Sequence, residues 1–410
     1  MKRVLLFSFS VLLLVALAQL RSKASSESDT QEALLKTADD VLADVSRLRE
    51  LEVKTPIARG IKSREEIRAH MIERIAEEYK PDELEIEGRV LKRLGLIPQT
   101  TDYYQFILSL LTEQIAGYYD PTTKTFYIAD WLPAEEQRPI MAHELTHALQ
   151  DQHFGVAPFL KRIKGNDDAV MARNSILEGD AAAVMIDYLM QPLGMKFTQL
   201  PDIRKFMDMA QTATEGEFKV FASAAPYFRE TLVFPYTAGV FFLQSCRLSR
   251  SWTEVAKIYT DLPTSTEQIM HPDKYLGARD DPTVVEPQAT PGLPGDDWKP
   301  VYSNVLGEFT TLLVLKTYLP VSEATEAAAG WDGDSVELFR NAQGKEALLL
   351  RSVWDTEQDA TQFFDAYRAV IAKKYPQARE VSSSPTLLRW RSGESDISLK
   401  RDGVWVEIVE

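Results

Sequence analysis

Along the chain, apolar and polar positions alternate at three and four residue spacing through 31–52, 63–79 and 82–95, with charges gathered on the opposite face. That period predicts amphipathic helices lying on a core. Residues 103–116 (YYQFILSLLTEQIA) are more apolar and predict a more central helix. At 117–130 (GYYDPTTKTFYIAD) the period changes to aromatic strands about the polar turn Asp120 to Lys124, which predicts a β-hairpin. Helices follow at 134–153, 167–190, 202–212, 236–248, 252–260 and 304–318. Between the last two, residues 276–300 carry five prolines and read as an irregular connection or a lid. Beyond the Gly330-Trp331-Asp332-Gly333 turn, strand patterns surround one amphipathic helix at 357–374. Residues 331–410 therefore read as a small α+β module, and 31–330 as a mainly helical domain. The fold class expected is α+β, mainly α-helical.

The first twenty residues, MKRVLLFSFSVLLLVALAQL, have a basic start and an apolar run ending in small residues. They read as a signal peptide of residues 1–18, with an uncleaved membrane anchor as the competing reading, followed by a serine-rich tether over 19–30. A secreted, periplasmic or extracellular chain is expected. Losing Lys2 and Arg3 would take the net charge from −15 to −17, which disfavours nucleic acid and anionic lipid as partners. The single cysteine, Cys246, cannot form an internal disulfide, and its apolar setting predicts a buried structural thiol. His70, among charged neighbours, reads as solvent-exposed and without a role.

Chemistry concentrates in HELTHALQDQHF, on the predicted helix 134–153. His143 and His147 lie one turn apart on one helical face, the spacing at which two imidazoles grip one Zn²⁺. Glu144 is then placed to take a proton from water at that metal. With no cysteine nearby, the third ligand must be a carboxylate or another histidine. Glu178, in ILEGDA on the following helix, is one candidate. His153 is another, because HELTHALQDQH also carries a third histidine at a known spacing, and Asp180 remains a further alternative.

This arrangement resembles two classes of zinc metallopeptidase. With Glu178 as third ligand the chain looks like a gluzincin; with His153 it looks like a metzincin. The metzincin pattern normally has a glycine where this chain has Gln150, and a helix that continues through Gln150 carries His153 away from the metal. Glu178 is therefore the expected ligand. Four residues after it, Ala182 stands where gluzincins often have an aspartate, so the carboxylate supporting a ligand histidine is expected at Asp180 or elsewhere. The wider string TEQIAGYYDP, AHELTHALQDQHF and LEGDA is similar to a group of bacterial secreted or membrane-tethered metallopeptidases without a known substrate. The resemblance covers about residues 60–345 and implies a zincin-like core and zinc; a peptide or protein substrate is the expectation of the metallopeptidase reading.

Two residues are candidates for stabilising an oxyanion: His271 in STEQIMHPDKY, and Tyr236 in FPYTAG at the start of a predicted helix. The hairpin's exposed strand edge is a candidate for holding an extended peptide. The alternative reading is a non-catalytic protein in which the metal staples two helices, its coordination closed by His153 or Asp180. A zinc hydrolase of a non-peptide substrate would use the same residues.

Overall fold

The computed structural model describes residues 31–410 except 79, 114–116, 161–162, 202, 206, 208–217, 294–296 and 394. The predicted leader, tether and most of the predicted 202–212 helix lie outside the described residues. Among the described residues, no helix is long and apolar enough to cross a membrane.

The fold is α+β and mainly helical. Helix α1 (Gln31–Arg49) buries Leu34, Ala38, Val41 and Val45, the stripe its spacing predicts. Strand β1 (Ala58–Lys62) follows, then α2 (Arg64–Glu78), α3 (Pro81–Leu94) and α4 (Tyr103–Glu113). The hairpin forms as β2 (Gly117–Asp120) and β3 (Thr125–Ala129). Asp120 closes its turn by accepting from the Thr122 amide and the Thr123 hydroxyl. The sequence period did not predict β1, which pairs parallel to β3. Its addition makes a three-stranded sheet of order β1-β3-β2, leaving β2 at one edge. His70 is half-buried rather than free in solvent, because its ring stacks on Tyr118 of β2 at 5.0 Å between centroids.

Next come α5 (Ala134–Phe154) and α6 (Asp167–Met190), the latter started by the Asn166 side chain, which accepts from the Ala169 amide. Almost every residue of α6 from Asp168 to Tyr188 is buried, so this helix is the axis of the domain. Helix α7 (Pro226–Arg247) crosses it and begins ten residues before the expected start at 236. Pro226 suits a first helical turn. Pro235 lies inside the helix, where the neighbouring buried side chains Leu232, Phe234 and Tyr236 offset the one lost hydrogen bond. At the crossing, a Cβ on Gly179 of α6 would lie 2.3 Å from the carbonyl carbon of Gly239 of α7. Only glycines let the two backbones approach so closely.

The C-terminal sheet has seven antiparallel strands in the order β4-β5-β6-β10-β9-β8-β7. It begins at β4 (Lys299–Asn304), upstream of residue 331. Helices α8 (Gly307–Tyr318) and α9 (Val321–Ala328) intervene before β5 (Trp331–Arg340), β6 (Glu346–Trp354) and α10 (Glu357–Lys374). Strands β7 (Arg379–Ser384), β8 (Leu387–Ser392), β9 (Ser395–Asp402) and β10 (Trp405–Val409) complete it. Its inner face, including Val336, Leu338, Leu348 and Leu350, joins the same core as the helices. The proline-rich segment lies along β5: the Thr283 amide donates to the Asp332 carbonyl at 2.6 Å, and Val285 and Trp298 are buried. Cys246 is buried and burial pushes its thiol up to about 12, as a structural cysteine requires.

Candidate metal centre

Helix α5 carries His143, Glu144 and His147 through the interior, and α6 runs beside it with Glu178 facing them. Nε2 of His143 and Nε2 of His147 lie 3.1 Å apart. Oε2 of Glu178 lies 3.0 Å from the first nitrogen and 3.4 Å from the second. Tetrahedral zinc with bonds of about 2.0–2.2 Å places its ligand atoms roughly 3.3–3.6 Å apart, so this triangle is close to the face such an ion needs. His143, Glu144 and His147 also offer ligand atoms that all fall within 4.8 Å of one another. The donor set, two imidazoles and one or two carboxylates, suits zinc or another first-row divalent ion.

Electrostatics tie the same groups together. Burial disfavours charge on both Glu178 and His147, but their attraction and hydrogen bonding outweigh it. Glu178 is held down to about 2 and His147 up to about 9. A buried carboxylate that must stay ionised beside two imidazoles is what a cation would otherwise neutralise.

The supporting residues explain how each group is aimed. Gln150 Oε1 accepts from His147 Nδ1 at 2.8 Å, while Gln150 Nε2 donates to the Leu177 carbonyl at 3.0 Å. Glu144 Oε2 accepts from the backbone amide of Tyr119 on β2 at 2.9 Å. The Tyr119 hydroxyl in turn donates to Asp151 of α5, and Lys124 pairs with that same carboxylate oxygen. Tyr119 thus braces the edge strand against the helix at two points. Sequence reasoning missed Tyr119 and Gln150 as functional positions. The aromatic pair before the helix was visible, but its contact with Glu144 arises only from tertiary folding.

Tyr236 is brought to the centre. It is buried, its ring lies 5.7 Å from that of His143, and its hydroxyl hydrogen-bonds Glu178. Burial and the charges of Glu178 and Glu144 hold that hydroxyl well above the usual tyrosine range, so it remains a donor. His153 is placed elsewhere, with Nε2 at 2.8 Å from the Glu52 carbonyl near the end of α5, because the helix continues through Gln150. Asp180 is fully buried and engaged by Arg49 and by the Tyr259 hydroxyl, each at 2.7 Å. His271 is also elsewhere, pairing with Glu308 of α8 at 2.9 Å, and that hydrogen bond raises it above the ordinary histidine range. A second acidic group, Glu267, Asp280 and Asp355, already surrounds a cation, the Lys274 ammonium, at 2.6 to 2.9 Å.

Residues 299–410 match a family described as "Domain of unknown function (DUF8575)". No curated protein matches the chain. Among solved structures, the chain is similar to one described as a "putative hydrolase with a novel fold" from Chloroflexus aurantiacus. The identity is 15% and the TM-score 0.37, covering 66% of this chain and 97% of that one.

Proposed function

We propose that the chain is an exported zinc metallopeptidase whose metal is held by His143, His147 and Glu178. The observation that carries this reading is the triangle of His143 Nε2, His147 Nε2 and Glu178 Oε2, with the Glu144 carboxylate beside it. Zinc bound there supplies a Lewis acid that acidifies water and polarises a carbonyl. Glu144, steadied by the Tyr119 amide, accepts the proton of the attacking water and returns it to the leaving amine as the C–N bond breaks. The Tyr236 hydroxyl donates to the developing oxyanion. The hairpin edge expected to hold an extended peptide is already covered, since every residue of β2 is buried and its Tyr119 amide is spent on Glu144. Export rests on the basic and apolar pattern of residues 1–18.

Engagement of His153 by Glu52, and of Asp180 by Arg49 and Tyr259, supports a site open to water over one closed by a fourth protein ligand. The test is Glu144→Gln, assayed on a mixed peptide library and for metal content. Hydrolysis is expected to vanish while one zinc per chain remains; a variant that still cleaves would overturn the mechanism.

A further inference from the structure

We propose that Arg49, Asp180, Tyr259 and Gln150 form an oriented hydrogen-bond relay that fixes His147 as an Nε2 metal ligand. The proposal rests on the metal-centre reading and not on peptide hydrolysis. The relay starts from a buried ion pair, Arg49 Nε to Asp180 Oδ1 at 2.7 Å, between residues 131 positions apart. The Arg49 guanidinium is sandwiched against Trp252, 4.2 Å from the ring centre, which holds it in place. An Asp180 ionised by this partner can only accept, so the Tyr259 hydroxyl at 2.7 Å from its other oxygen must donate.

With its proton spent on Asp180, the Tyr259 oxygen is left as an acceptor on the side of the Gln150 amide. The Gln150 amide orientation is fixed independently. Its nitrogen donates to the Leu177 carbonyl at 3.0 Å, and a carbonyl has no proton to give. Oε1 must therefore face His147, and at 2.8 Å from Nδ1 it demands a proton there. The neutral ring consequently carries its proton on Nδ1 and presents the Nε2 lone pair to Glu178 and His143, the side where a metal would sit. Each step has one polarity, set at the outer end by the Arg49–Asp180 pair and at Gln150 by the Leu177 carbonyl.

Gln150 is thus a positioning residue, standing where an outer carboxylate was expected. Because Arg49 closes α1, that helix is tied to the outer end of the relay.

The experiment titrates the full chain with Zn²⁺ and follows His147 by ¹⁵N NMR of the imidazoles. In the zinc-loaded wild type, His147 should show a protonated Nδ1 and a coordinated Nε2. Gln150→Leu should weaken zinc binding about 10–100-fold, and the near-isosteric Tyr259→Phe about tenfold, the range for loss of outer partners. Should Gln150→Leu fail to fold, Tyr259→Phe decides alone. Unchanged affinity in folded Tyr259→Phe, or coordination of His147 through Nδ1, would overturn the relay. Zinc binding with this dependence but no cleavage of peptide would instead sink the peptidase reading and leave the relay standing.

Discussion

Tyr236 and His271 both carry a donor suited to an oxyanion, and their surroundings separate them. The Tyr236 hydroxyl sits on Glu178, beside the histidine pair, and burial keeps it protonated. His271 is paired with Glu308 next to Lys274 and Glu267, groups with no part in the centre. Tyr236→Phe should therefore lower kcat about 10²–10³-fold with little change in KM, as loss of one oxyanion donor does. His271→Ala should leave kcat within about twofold. Steady-state kinetics on one cleaved peptide compares them, and the reverse ranking would reassign the role. Sequence spacing named His143, Glu144 and His147 at once because all lie on one helix. It left Glu178, His153 and Asp180 open because that choice depends on how α5 and α6 cross. The partners of His153 and Asp180, Glu52 and Arg49, lie about a hundred residues or more away in sequence.

The crossing of α6 with α7 sets the distance between Glu178 and Tyr236. Each functional residue is within three positions of a glycine at the contact, Gly179 and Gly239. Gly179→Ala would force a Cβ to within 2.3 Å of the Gly239 backbone, and backbone cannot yield as a flexible side chain does. Overpacking of this kind costs about 1–3 kcal/mol or more, read as a lower denaturant midpoint. An unchanged midpoint would show that the helices have slack. The sequence reading placed α5 and α6 nearly to the residue. It missed β1, whose ARGIK is short, carries a glycine and has a charged residue at its end. It placed α7 ten residues late, at 236, although the helix starts at Pro226 and runs through Pro235.

Across the whole molecule, one core runs from α1 through the metal helices to the inner face of the C-terminal sheet. Global stability should accordingly report the state of the centre. His147 is raised from 6.5 to about 9, so its pairing stabilises fully below pH 6.5 and is lost as pH rises through about 9. Glu178 is lowered from 4.5 to about 2, so its contribution is present above pH 4.5 and lost as pH falls through about 2. The metal-free chain should then show a Tm that declines between pH 6.5 and 9, measured by calorimetry after chelation. In the zinc-loaded chain the ion replaces the His147 proton, and that decline should disappear. A metal-free Tm that is flat over this range would mean that the pair is not coupled to folding.

Zinc affinity of Glu178→Ala, measured beside wild type and His153→Ala, tests the centre most directly. Wild type and His153→Ala should each bind one ion with equal affinity, and Glu178→Ala should bind it more than about a hundredfold more weakly, beyond the loss of an outer partner. Equal affinity in Glu178→Ala, or a loss confined to His153→Ala, would contradict the assignment of the third ligand.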